Sequence, residues 1–354
     1  MSFLSANKVM YHPKRMREWM ETGDTSAPVT VKIDLTNVCN HDCPGCIDAD
    51  LIANDNNELH IDLVKTLLDD LKSMGVKGIN YTGGGEPTAH KKFAEVIRHT
   101  AELGLDIGLI CNGSLFHKKR IPMEELLRHF SWIRVSLDAY DHDTHVRTHG
   151  SKSTFKKTVQ NMRDLVRIKK EQNLDVTLGA GYITNQYEDM DRQCWRFVEL
   201  CKDIGLDYAQ LRPSFGFFFD YKKIKPSEWK DIFAELKKYE DSSFRVVIDE
   251  GKFHKIFSGK TGRKYSTCHA QSFKSTSITA RGGVYICCSL SGVSEGFIGN
   301  IKKETISEIW NGKRRQDILA KLQVKKCPKL CVGDNLNEAL EKFSNNPPDH
   351  VNFL

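Results

Sequence analysis

VTVKIDLTNVCNHDCPGC, residues 29–46, sets a β-rich run directly before three cysteines, Cys39, Cys43 and Cys46, spaced C-x3-C-x2-C. Val29–Leu35 reads as a strand that ends where the cysteines begin. In parallel α/β folds, the loop beyond a strand's C-terminal end is where active sites lie. Thiolates are the standard ligands of iron–sulfur clusters. Three of them on a four-iron cluster leave one iron open to a substrate or cofactor. A structural zinc site is the alternative. Zinc wants four protein ligands, and His41 is a candidate fourth, although its place inside the same tight loop makes a tetrahedron awkward.

Working outward, short β-rich runs alternate with helical patterns as far as residue 213. Ile61–Met74 carries Leu63, Leu67, Leu68 and Leu71 at helical spacing, and Gly78–Thr82 is the next strand. Helices at Phe93–Leu103, Met123–Phe130, Thr154–Glu171 and Met190–Ile204 alternate with strands at Asp106–Cys111, Trp132–Leu137, Val176–Ile183 and Tyr208–Arg212. Six βα units in a row predict a parallel sheet with helices outside it. Periodicity does not choose between an open doubly wound sheet and a partial TIM-like barrel. After Pro213 the pattern changes. SFGFFFDYKK is aromatic and basic, Pro226–Lys238 is helical, Phe244–Ile248 is strand-like, and Gly282-Gly283 joins a hairpin. Thr305–Leu322 reads as a last helix, followed by CPKLC.

Composition narrows the function classes. A net charge of +6 is modest and lacks the basic, aromatic-interleaved stretch that would argue for nucleic acid. No apolar run approaches the roughly 20 residues that span a membrane, and the N-terminus has no secretory apolar region. A cytoplasmic protein is expected, so the eleven cysteines predict metal or redox chemistry rather than a disulfide framework.

The cysteine triplet after the first strand, followed one βα unit later by INYTGGGEPT, resembles the radical S-adenosylmethionine (SAM) superfamily. The resemblance implies a partial (β/α)6 barrel and a [4Fe-4S] cluster on Cys39, Cys43 and Cys46, with SAM chelated to the open iron. Gly84, Gly85 and Glu86 match the motif that receives the SAM amino group. Asn112, in LICNGS, and the pair Ser136 and Asp138, in VSLDAYD, match residues that line the cofactor, as do Gly181 and Ile183 in GAGYIT. Arg147 matches an arginine often found after the fourth strand, with SAM, the substrate or a surface carboxylate as its partner. Where an aromatic residue often precedes the third cysteine, this sequence has Gly45.

A second group resembles the SPASM/Twitch type of extension. Its points are Cys268 before a hairpin, GGVYIC ending at Cys287, Gly299-Asn300, SEIW before a helix, and the closing pair Cys327 and Cys331. It implies a second, auxiliary [4Fe-4S] cluster on Cys268, Cys287, Cys327 and Cys331, with Cys288 able to replace Cys287 and a four-ligand zinc site as the alternative. The expected segments are 1–28, a core barrel 29–225, a connector 226–265, a small hairpin–helix auxiliary-cluster domain 266–335, and a tail 336–354.

The chemistry implied is reductive cleavage of SAM to a 5′-deoxyadenosyl radical, fed by a flavodoxin- or ferredoxin-like electron donor, followed by hydrogen abstraction from substrate. Oxidation through the auxiliary cluster, epimerisation by a thiol donor, and elimination all remain open. Cys111 and Arg212, at the ends of the third and sixth strands, are the candidate catalytic side chains. The 28 residues before the barrel are too short for a separate peptide-recognition domain. They favour a small polar substrate, a sugar, aminocyclitol or nucleotide, over a peptide or protein. A non-enzymatic zinc scaffold is the third reading.

Overall fold

The computed structural model describes residues 6–49, 55–152, 154–184, 187–214, 225–258, 262–274, 276–328 and 330–344. They form two compact units, one of residues 34–61 and 80–260, the other of 1–33, 62–79 and 261–354. Most of the aromatic-basic stretch 214–223 lies outside the described residues.

The first strands of the chain are β1 (Thr30–Ile33) and β2 (Gly78–Tyr81). In the larger unit, β3 (Asp106–Cys111), β4 (Trp132–Ser136), β5 (Thr177–Thr184), β6 (Tyr208–Pro213) and β7 (Arg245–Ile248) pair in sequence order, all parallel. Side chains alternate between the two faces of such strands. Tyr182 stacks on Phe197 of the helix Trp195–Ile204 at 5.2 Å, so one face meets the helices. Ile107, Leu109, Ile133, Val135, Leu178, Ala180 and Leu211 share that face by register and alternation, and all are buried. The opposite, inner face carries Gly108 and Ile110, then Trp132, Arg134 and Ser136, then Gly179, Gly181 and Ile183, then Tyr208, Gln210 and Arg212. Two glycines there make room for rings. A Cβ at Gly108 would lie 2.2 Å from the Trp132 indole, and one at Gly179 would lie 2.3 Å from the Tyr208 ring.

In the smaller unit, β1 pairs in parallel with β8 (Ser277–Ile278), which turns through Gly282 at φ 84° into antiparallel β9 (Gly283–Tyr285) and then β10 (Phe297–Asn300). Trp19 and Met16, on the helix Pro13–Thr22, pack with Ala270, Phe273, Leu336 and Leu340. The Trp310 indole N–H donates to Thr25 O at 3.0 Å, and Arg315 lies over that ring while forking onto Asp24 at 2.6 and 2.9 Å.

Several elements depart from the sequence expectation, each for a local reason. The helix expected over Thr305–Leu322 is two, Ile306–Asn311 and Lys313–Lys321. Gly312 between them is extended at ψ 151°, and a Cβ there would press within 2.8 Å of Glu308 O. Met190–Ile204 is also broken, into Glu188–Asp191 and Trp195–Ile204. Met123–Phe130 shortens to one turn, Met123–Leu126, with a 3-10 turn at Leu127–His129. His142–His149 is a helix that apolar periodicity does not announce. It starts on a reciprocal Asp141–Thr144 capping box. β7 pairs with β6, so the expected connector continues the parallel sheet of the larger unit.

Candidate metal and cofactor site

Cys39, Cys43 and Cys46 lie in one loop of the larger unit, close enough for each thiol of Cys39 and Cys46 to raise that of Cys43. Burial is the main cause. It pushes Cys39 up to about 11 and raises Cys43 and Cys46 as well, so without metal the three are neutral, partly desolvated thiols. Binding iron converts such groups to thiolates and removes that penalty.

The loop is held from three sides. Gly85 N donates to Thr36 O and Glu86 N to Val38 O, both at 2.9 Å. Gly85 is glycine by necessity, since a Cβ there would lie 2.3 Å from the backbone Val38 O, while at Gly84 the nearest atom, at 2.5 Å, is the side-chain Oδ1 of Asn37. Asn112 Nδ2 donates to Asn40 Oδ1 at 2.9 Å, and Asn40 Nδ2 donates to Ser114 Oγ at 2.8 Å. On the third side Ser151 Oγ donates to Asp42 at 2.8 Å, and His41 Nε2 meets Thr154 Oγ1 at 3.0 Å.

His41, His145 and His149 cluster against Cys43, and sequence reasoning did not bring them together. The last two stack at 4.3 Å between centroids, which their i, i+4 spacing on one helix face permits. His149 Nε2 lies 3.0 Å from Leu137 O, so it carries the proton, and Nδ1 accepts from the Cys43 thiol at 3.3 Å. Ligand atoms of His41, Cys43 and His149 lie within 4.8 Å of one another, a second set of metal-capable groups sharing Cys43. Burial holds His41 at about 4, with His149 adding to the effect.

The residues expected around SAM divide by place. Asp138, at φ 48°, accepts from Ile183 N at 2.6 Å, with His149 Nε2 3.6 Å from its other oxygen. Leu137 N and Asp138 N both donate to Gly181 O. Ser136 is the register partner of Gly181 on the inner face, where a Cβ at Gly181 would come no closer than 3.6 Å to anything. The Arg134 side chain is the neighbour at that distance. Glu86 also has partners within the protein. Its carboxylate is buried, one oxygen accepting from Thr88 N at 3.0 Å and the other from Asn112 N at 2.7 Å. Burial raises it, against those hydrogen bonds. A lone pair stays on the oxygen that accepts from Asn112 N, so the carboxylate as well as the Gly84–Gly85 backbone can receive an ammonium.

Three further candidates lie elsewhere. Arg147 forks onto Asp189 at 2.6 and 2.9 Å and stacks over Tyr187, half exposed, in the surface-pair arrangement. Cys111 is buried on the helix-facing side with Ile107 and Leu109, opposite Ile110, and burial pushes its thiol well up. That placement corrects the expectation of a thiol facing substrate. Alternation along β3 sends Cys111 outward and Ile110 inward. Arg212 faces inward at the end of β6, beside Ile183.

In the smaller unit, Cys268, Cys287, Cys288 and Cys327 all sit within electrostatic reach of Cys331. Gly333 N donates to Cys331 Sγ at 3.3 Å. Arg263 pairs with Asp334 at 3.3 Å, both buried, and donates to Cys327 O, bracing the last cysteine turn. Cys288 lies toward Lys32 and Lys274, which lower its thiol while burial raises it.

Residues 33–194 match the Radical SAM superfamily, and residues 268–333 match the iron-sulfur cluster-binding SPASM domain. The chain carries a radical SAM domain followed by a SPASM domain. Its cofactors are therefore a SAM-binding [4Fe-4S] cluster, SAM, and auxiliary iron–sulfur ligation in the SPASM domain. This radical SAM enzyme is 30% identical over 115 residues to an S-adenosylmethionine-dependent nucleotide dehydratase of Selenomonas ruminantium, a match covering 32% of its own length and 40% of the relative's. It is 35% identical over 94 residues to a PqqA peptide cyclase of Rhodopseudomonas palustris, covering 27% of its own length and 25% of the relative's. The match thus spans less than half the length of these curated relatives. Streptococcus suis SuiB, solved with its precursor peptide SuiA, superposes with a TM-score of 0.64 at 16% identity, over 86% of the present sequence and 69% of SuiB. That likeness establishes the fold, the partial barrel of mostly parallel strands. No helix among the described residues is long and apolar enough to cross a membrane.

Proposed function

We propose that this enzyme modifies a peptide or protein by hydrogen abstraction, with the SPASM cysteines taking part in the fate of the substrate radical. The observation that carries the reading is the union of a radical SAM barrel with a SPASM domain in a protein similar to a PqqA peptide cyclase. It displaces the small polar substrate favoured from sequence, because a short N-terminal segment says little once SuiB, solved with a peptide, shares the fold. The nucleotide dehydratase relative supports a nucleotide as the second reading.

Cys39, Cys43 and Cys46 would hold the radical cluster, and the backbone at Gly84 and Gly85, with Asn112, Ser136, Asp138, Gly181 and Ile183, would line SAM. When bound, this cofactor pair supplies a carbon-centred radical able to abstract hydrogen from an unactivated C–H bond. The protein's own residues orient and shield. Asn112 ties the cysteine loop to β3, and Asp138 ties the end of β4 to β5. Trp132 and Tyr208, packed over Gly108 and Gly179, fill the inner face below Arg134 and Gln210 and keep water from rising behind the substrate. Cys268, Cys287, Cys327 and Cys331 would hold the auxiliary cluster. A flavodoxin- or ferredoxin-like protein in the cytoplasm would supply the electron.

The test is anaerobic incubation of reconstituted enzyme with SAM and reductant, given either a synthetic peptide library or a panel of nucleotides and sugars. A rise in 5′-deoxyadenosine above the uncoupled level, with a mass change in a peptide, supports the reading. A rise with the nucleotide and sugar panel alone overturns it.

A further inference from the structure

Arg212 is a partly buried cation with no ion pair among the described residues. Its Nε is sealed from solvent with no hydrogen-bond partner, and its guanidinium makes no hydrogen bond or ion pair among the described residues. Arg134, two rungs below on the same inner face, also has a sealed, unpartnered Nε, and its Nη1 donates to Gln210 Oε1 at 2.6 Å. A sealed N–H without a partner carries an uncompensated desolvation cost, and proteins rarely keep one without use. Burial is the main influence on Arg212, bringing it down to about 10, with Arg134 pushing the same way and Asp138 opposing. Asp138 is the acidic group acting on both arginines, and one of its oxygens already accepts from Ile183 N. Among the described residues, two guanidiniums thus share one carboxylate on the inner face of β4 and β6.

We propose that Arg212, supported by Arg134, receives one carboxylate of the substrate. Both arginines stand on the inner face, one on each side of β5, where the Tyr208 ring takes the space at Gly179 and the Arg134 Cδ lies 3.6 Å from where a Cβ at Gly181 would stand. A guanidinium fork matches a carboxylate in two parallel hydrogen bonds. Resting on the peptide reading above, the group is an acidic side chain or a peptide's terminal carboxylate that enters the barrel and places a neighbouring C–H bond before the radical.

The experiment uses the full-length protein with clusters reconstituted, kept oxidised so that nothing turns over. ¹³C-carboxylate acetate is the probe, followed by saturable line broadening with and without SAM. N-acetylglycine and N-acetylglutamic acid α-amide then compare a terminal carboxylate with that of a glutamyl group. Acetate should bind saturably to the SAM-loaded enzyme. Arg212→Gln should weaken it at least tenfold, Arg134→Gln by less, and Arg212→Lys should recover part of the loss. Iron content and circular dichroism confirm that each variant is folded. Absence of saturable binding, unchanged affinity in folded Arg212→Gln, or displacement of acetate by SAM overturns the proposal; the last outcome would give the seat to the cofactor's own carboxylate. Failure of the peptide reading is read separately, from which panel stimulates 5′-deoxyadenosine.

Discussion

Gly85→Ala is the sharpest test of how the cysteine loop is held. The added methyl would lie 2.3 Å from Val38 O and 2.6 Å from the carbonyl carbons of Asn37 and Val38, where ordinary contact begins near 3.4 Å. All three atoms are backbone of the segment leading into Cys39, so no flexible group is there to swing aside. About 1 Å of main-chain displacement is required. Overpacking of this kind costs about 1–3 kcal/mol. The shift also strains the 2.9 Å hydrogen bonds Gly85 N to Thr36 O and Glu86 N to Val38 O, each worth about 1 kcal/mol net. The total, about 3–5 kcal/mol, is a large part of a typical domain's stability. Urea denaturation of metal-free protein should show a clearly lower midpoint. Anaerobic reconstitution should recover roughly half the wild-type iron, because the SPASM ligands lie in the other unit. Gly45→Ala is the control, in the same loop with nothing within 4 Å of the added carbon, and should be neutral in both measurements. A wild-type midpoint and full iron in Gly85→Ala would refute the argument that this backbone contact sets the loop.

Cys43→Ala should abolish 5′-deoxyadenosine formation while circular dichroism stays that of the folded protein. Anaerobic wild-type protein should hold about eight irons and the Cys39/Cys43/Cys46 triple alanine variant about four, by iron and sulfide analysis; zinc or no metal in the latter would refute the auxiliary cluster. Arg263→Met removes the charged partner of buried Asp334, which keeps the Tyr265 hydroxyl, and should cost about 3 kcal/mol, with loss of auxiliary iron before radical-cluster iron. Cys111→Ala removes a small buried group, so it should lower stability by about 1 kcal/mol and leave product formation intact; loss of product with cleavage retained would return Cys111 to the chemistry.

The βα series was legible because each of its strands is a short apolar run beside a helix with a clear apolar stripe. What sequence missed had no such signal. His142–His149 has hardly an apolar residue to betray it; it is set by the Asp141 cap and by burial of His145 and His149. The break at Gly312 looks like a tolerable glycine inside a helix until the Glu308 carbonyl is placed beside it. At the site, the C-x3-C-x2-C spacing was readable because its ligands are local in the sequence. Glu86 was read from its motif as a cofactor ligand, while the protein partner of its carboxylate, Asn112 N, is 26 positions away. Arg134 was within reach of inspection, since it alternates with Trp132 and Ser136 in WIRVS and must share their face. Its unpartnered Nε needed coordinates.

The clamp around the cysteine loop bears on the order in which the holoenzyme is assembled. Its fastenings, Asn112 to Asn40, Gly85 to Thr36, and Ser151 to Asp42, are all protein to protein, and none needs iron to form. The loop is thus expected to be in place before metal arrives, and metal-free protein should unfold in urea with a cooperative transition. Iron starvation would then accumulate a durable, reloadable apoprotein instead of a pool destined for proteolysis.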